Sequence, residues 1–90
     1  MPDELLLREK AREAVRSGTL PTRQPDRTFG GPGSRMACAV CGEPVTRDQM
    51  EFEIEFDRDA TPGFDRYYLH PRCYAAWEFE RTKIDEGIAS

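Results

Sequence analysis

Cys38-Ala-Val-Cys41 and His70-Pro-Arg-Cys73 hold every cysteine and the single histidine of this 90-residue chain. The pattern is Cys-x2-Cys, then 28 intervening residues, then His-x2-Cys. Thiolate and imidazole are the usual donors of a structural zinc site, which takes four of them in a tetrahedron. A Cys-x2-Cys turn sets two thiolates about 3.5–4 Å apart, which suits two corners of that tetrahedron. Gly42 follows directly and accepts the left-handed backbone with which such a knuckle ends. At the other pair, the three-residue step from His70 to Cys73 puts both on one side of a first helical turn. Pro71 between them is suited to the first position of a helix, and the helix N-terminus favours a thiolate at Cys73. The four residues therefore read as the ligands of one closed Zn2+ site.

Other readings of the same residues fit less well. Three cysteines cannot all pair within one chain, which argues against a disulfide framework. A redox Cys-x-x-Cys needs a strand before it and a helix opening on it. Here a Gly/Pro-rich stretch precedes the motif and Gly42-Glu43-Pro44 follows it. A catalytic zinc keeps one position for water, whereas four donors close the shell. With no second histidine to act as base, no enzyme is expected.

Outward from the motif, Glu51-Phe-Glu-Ile-Glu-Phe56 alternates strictly, the period of a half-buried strand. Phe52, Ile54 and Phe56 are expected inward, and Glu51, Glu53 and Glu55 outward. Asp57 to Gly63 carries turn signals, and Phe64 to Leu69 reads as the returning strand. Pro71 to about Asp85 reads as a helix with Cys73, Trp77 and Ile84 on one side, and Gly87 as its stop. Upstream, residues 3–17 form an amphipathic helix with Asp3 as N-cap, a stripe of Leu7, Ala11, Ala14 and Val15 extended by Leu5 and Leu6, a Glu4–Arg8 pair and Gly18 as terminator. Intramolecular packing or fraying is preferred to a dedicated docking role, because a helix of about four turns is marginal alone. Residues 18–36 hold four of the seven glycines and three of the seven prolines, and read as a linker that resists helix and strand. Its aromatic, Phe29, is expected to pack on its own domain, or else to anchor a recognition segment.

The organisation expected is thus an N-terminal amphipathic helix (residues 1–17), a flexible Gly/Pro-rich linker (18–36), a zinc finger (37–86) and a tail (87–90). The fold class is a small α+β zinc-stabilised domain. A knuckle, a hairpin and a helix whose first turn supplies two more ligands resemble a treble-clef zinc finger. The ligand order also resembles the first module of a LIM domain, but no residues remain for the second LIM site, so LIM function does not carry over. The segments Pro25-Asp-Arg-Thr-Phe-Gly-Gly-Pro-Gly33 and Leu69-His-Pro-Arg-Cys-Tyr-Ala-Ala-Trp-Glu-Phe79 are similar to small uncharacterised bacterial zinc-binding proteins, a resemblance that implies ligand roles for Cys38, Cys41, His70 and Cys73 alone.

A chain this short needs a staple, and structural zinc supplies about 10–16 kcal/mol, so the finger is expected to unfold without metal. The net charge is −4. Residues 36–90 carry six basic and twelve acidic side chains, whereas the first 35 carry seven basic and five acidic. An acidic finger is a poor start for phosphate binding. No apolar run reaches membrane length, and thiols kept for a metal fit the cytoplasm. The expected role is therefore a structural zinc module acting as a protein–protein interaction or regulatory adaptor. The alternative is a nucleic-acid-binding finger using Arg23, Arg27 and Arg35. Tyr67, Tyr68 and Trp77 are expected in packing rather than base stacking. The row Glu51, Glu53 and Glu55 is expected to keep the strand soluble, or else to dock a basic partner.

Overall fold

Three antiparallel strands and two helices make up the fold, in a computed structural model that describes residues 4–89, with side chains to residue 84. In chain order they are α1 (Glu4–Arg16), β1 (Arg27–Pro32), β2 (Met50–Asp57), β3 (Phe64–Leu69) and α2 (Pro71–Ala89). The sheet order is β1-β2-β3, so β2 is central. The small α+β class stands.

Helix α1 buries Leu7, Ala11 and Ala14 against α2 and leaves Leu5 and Leu6 exposed, so the apolar stripe is narrower than expected. Gly18, at φ 81°, ends α1 as expected. The N-cap expectation at Asp3 lies outside the described residues. Arg8 and Arg12, one turn apart, both reach across to Glu80 of α2, at 3.2 and 3.0 Å. Their joint target is 1% exposed. The helix therefore docks on the domain through an apolar stripe and a shared buried carboxylate.

The stretch read as a linker corrects the expectation most. Residues 27–32 form β1 and pair in register with β2 from Arg27↔Glu55 to Pro32↔Met50. Glycine and proline weaken a strand interior, but on an edge strand one face of the ladder needs no partner. Leu20 and the Pro21 carbonyl are also structural: Leu20 is fully buried, and Trp77 Nε1–H donates to Pro21 O at 3.1 Å. Gly33 is sterically required, since a Cβ there would collide with the backbone carbonyls of Val45 and Thr46.

Trp77 centres the core. Phe56 meets it edge-on at 6.1 Å and Tyr74 lies at 5.8 Å, with Ile54, Leu69 and Val45 filling the remaining space. Tyr67 packs edge-on against Phe56 at 5.8 Å. Tyr67 and Trp77 thus serve packing, as expected of a domain this small. Helix α2 continues through Gly87 to Ala89, so Gly87 does not stop it and residues 87–89 are not a separate tail. Glycine inside a helix costs only about 1 kcal/mol relative to alanine and does not oblige termination.

Candidate metal centre

The knuckle is built by backbone bonds. Ala37 and Pro44 form a β-bridge, Cys38 N–H donates to Glu43 O at 2.9 Å, and Gly42 N–H donates to Cys38 O at 2.9 Å. Gly42 has φ 81°, the left-handed conformation that its position required. A further bond, Ala39 N–H to Tyr68 O at 2.8 Å, ties the knuckle to the end of β3. Two residues past Tyr68 the chain delivers His70, and α2 begins at Pro71. Tyr74 N–H donates to His70 O at 2.8 Å, which closes the first turn and brings Cys73 beneath His70.

The donor atoms of Cys38, Cys41, His70 and Cys73 all lie within 4.8 Å of one another. Cys41 Sγ is 3.5 Å from His70 Nδ1. A tetrahedral ion with Zn–S near 2.3 Å and Zn–N near 2.05 Å separates a sulfur from a nitrogen by about 3.6 Å. Cys38 and Cys73 are buried, while Cys41 and His70 are half-buried. Their open side faces a cleft of about 440 Å³ that Leu7, Met50 and Pro71 help to line.

The three thiols influence one another's ionisation. The Cys38 thiol is lowered to about 4, first by the hydrogen bond from Cys73, then by the N–H groups of Cys41, His70 and Val40, all working against burial. Cys73 moves up strongly, because its proton is held against the Cys38 thiolate and because it is buried. Cys41 also moves up, chiefly through burial, although the Glu43 N–H opposes this. The donor set, three sulfurs and one imidazole nitrogen, is one that a divalent metal accepts.

All four residues singled out by spacing are brought together. The other candidates are placed differently. Glu51 and Glu55, expected to face solvent, are 6% and 5% exposed. Glu51 accepts from Ser34 N–H and Oγ–H, at 3.1 and 2.7 Å. Glu55 accepts from Arg27 at 2.7 Å and from Arg66 at 3.1 and 2.9 Å. The alternation assigned the face correctly, but Arg27 of β1 and Arg66 of β3 cover Glu55, and Ser34, just past β1, covers Glu51. Arg23 and Arg27, proposed for phosphate, are occupied by Asp26, Asp57 and Glu55. Arg35 has φ 71° and donates its backbone N–H to Val45 O. Arg23 and Arg27 share Asp57, whereas Arg35 lies past the far end of β1. Phe29, expected to pack, is 49% exposed.

No family model, curated protein or solved structure matches the chain. Its class therefore rests on its own residues: a small α+β domain with a Cys3His cluster that can hold a metal. No helix among the described residues is long and apolar enough to cross a membrane.

Proposed function

We propose that Cys38, Cys41, His70 and Cys73 bind one structural Zn2+ in a treble-clef arrangement, and that the module serves as a small cytoplasmic protein–protein interaction or regulatory adaptor without catalytic activity. One observation carries the metal assignment: four nitrogen and sulfur donors from two distant segments converge within 4.8 Å. Knuckle, β2–β3 hairpin and the first turn of α2 follow one another in treble-clef order. His70 enters through Nδ1, the ring nitrogen 3.5 Å from Cys41 Sγ. Four protein donors leave no tetrahedral position for water, which favours a structural ion over a catalytic one. The adaptor part is supported by the net charge of the finger and by the internal pairing of Arg23 and Arg27, which together disfavour a phosphate ligand.

Native mass spectrometry tests the metal assignment. One tightly held zinc per chain is expected, lost in Cys73→Ser. Co2+ substitution should give the visible absorption of a tetrahedral sulfur-rich site. A Cys73→Ser variant that keeps one tight zinc would refute this ligand set.

A further inference from the structure

The three cysteines of the cluster do not meet solvent equally. Cys38 and Cys73 are 3% and 2% exposed, whereas Cys41 is half-buried. Cys41 lines two clefts at once: the one of about 440 Å³ beside Met50 and Pro71, and a second of about 370 Å³ between the knuckle and the C-terminal half of α1. Its sulfur is the one that a small solute meets first. Cys38 stands three residues away in the same knuckle, and the four donor atoms lie within 4.8 Å of one another. An accessible sulfur with a second one in reach is the arrangement in which a peroxide converts two thiolates to a disulfide. Met36 and Met50 are more exposed still, but oxidation of a thioether leaves all four donors in place.

We propose that Cys41 is an oxidation site for hydrogen peroxide and that Cys38 resolves it, so that the metal centre opens in response to oxidant. The proposal rests on the metal reading above. In the first step the Cys41 thiolate attacks one peroxide oxygen. A sulfur–oxygen bond forms, the oxygen–oxygen bond breaks, and hydroxide leaves, with Cys41 now a sulfenic acid. In the second step the Cys38 thiolate attacks the Cys41 sulfur, forming the disulfide and expelling a second hydroxide. Two electrons thus pass from the two sulfurs to one peroxide. Cys38 is favoured over Cys73 because a short Cys-x2-Cys loop keeps it close whatever happens to the site. Cys73 belongs to α2, and its proximity to Cys41 depends on the closed cluster. His70 and Cys73 then remain as two donors of the original four, too few for a tight site. The knuckle loses the anchor that helps hold Ala39 N–H on Tyr68 O. A thiol reductant regenerates both thiolates, so the opening is reversible. This is stoichiometric oxidation, not the exchange catalysis of a redox Cys-x-x-Cys, which needs a helix opening on the motif.

The test exposes the zinc-loaded full chain to hydrogen peroxide beside a chromogenic zinc chelator, with a cyclic 1,3-dione in parallel samples to trap sulfenic acid. Zinc content is measured before oxidant is added. One zinc should appear for each peroxide consumed, the dione should mark Cys41, and peptide mapping should find a Cys38–Cys41 disulfide within one chain. A dithiol reductant with added zinc should restore the metal and the hydrogen-exchange protection of Ala39. Cys41→His keeps four nitrogen and sulfur donors and should release zinc about tenfold more slowly, because the remaining thiols are buried. Met50→Leu should release it at the unmodified rate. Should Cys41→His hold no zinc, the dione map decides alone. Zinc retained under oxidant, dione on Cys38 or Cys73 first, a disulfide that uses Cys73 or joins two chains, or an oxidised state that no reductant reverses would each overturn the proposal. A chain that carries zinc yet ignores peroxide removes the switch and leaves the metal reading intact, whereas an unmodified chain that binds no zinc removes the metal reading and the switch with it.

Discussion

Residues 37–44 with 70–73 and residues 4–36 solve the same problem by different means. Each must fix chain that has little apolar surface to bury. The first region converges four soft donors on one point, within 4.8 Å. The second has no such point. It is held by Leu7, Ala11, Ala14 and Leu20 in the core, by Arg8 and Arg12 on Glu80, and by Arg27 on Glu55. A metal centre concentrates its energy in one event, and losing any ligand forfeits most of it. Distributed ion pairs and small apolar contacts fail piecemeal. The two regions should therefore respond differently to the same kinds of perturbation.

The largest difference is expected on metal removal. Chelation, or Cys73→Ser, should abolish cooperative unfolding and collapse the amide dispersion of the knuckle and the start of α2, since structural zinc contributes on the order of 10–16 kcal/mol. Hydrogen exchange on the chelated chain checks this directly. Retention of protected amides at Ala39 and Tyr74 would show that the polypeptide holds the site without an ion.

Next in size is the buried carboxylate between the helices. Removing both arginines, in Arg8→Ala with Arg12→Ala, leaves Glu80 buried without a hydrogen-bonded cation, Lys83 acting only at a distance, and should cost about 3–5 kcal/mol. Glu80→Leu should cost clearly less, because Arg8 and Arg12 are each about one-third exposed and can turn to water. Denaturant titration of zinc-loaded protein distinguishes the two. If Glu80→Leu is the more damaging change, Glu80 serves as an attractive clamp rather than as a charge whose burial needs neutralising. Gly33→Ala should follow at about 1–3 kcal/mol, since its Cβ would displace the Val45–Thr46 backbone.

The same contrast explains what could be read from residues alone. The metal cluster was legible because its chemistry is written in residue type and spacing: rare donors in two tight pairs, with Gly42 and Pro71 where a knuckle and a helix start need them. The hairpin and both helices were legible from periodicity. Strand β1 was not, since Gly30-Gly31-Pro32 carries the composition of a loop and only its pairing with β2 makes it a strand. Glu51 and Glu55 were misplaced for a related reason. Alternation reports which face a side chain takes, but Ser34, Arg27 and Arg66 decide whether that face is wet. Ser34 and Arg27 come from the stretch that looked unstructured. Leu20 and Gly33 were unreadable too, one buried and one sterically obligatory within a run of turn formers.

Acid should weaken both regions in the same direction, the first by protonating thiolate ligands and the second by protonating paired carboxylates. Glu80 is lowered from its ordinary value: burial pushes it up, but the hydrogen bonds from Arg12 and Arg8 outweigh it. Glu55 is lowered mainly by its bond from Arg27. A carboxylate whose folded value lies below its unfolded value binds fewer protons when folded. Its contribution is complete above the unfolded value, near about 4.3, and fades as pH falls through the folded one. The ion-pair contribution to α1 docking should therefore be complete above about pH 4 and fade below it, read as the difference in acid sensitivity between the unmodified chain and Glu80→Gln. Glu80→Gln should flatten that limb without altering zinc content measured at neutral pH.

The smallest expected effect falls on Phe29 of β1 and its register partner Glu53 of β2. Phe29→Ala and Glu53→Gln should each change stability by less than about 0.5 kcal/mol, because one side chain is half-exposed and the other makes a solvent-exposed ion pair with Arg66 at 3.6 Å. Thermal unfolding of the zinc-loaded variants checks this. A neutral result shows that the fold does not require an aromatic ring at Phe29 or a charge at Glu53, unlike Trp77 or Glu80, whose burial ties them to packing. A loss above about 1 kcal/mol would instead make Phe29 and Glu53 a structural cross-strand brace, and beside the region of clustered donors and the ion-paired one there would be a third, aromatic, element on the outer face of the sheet.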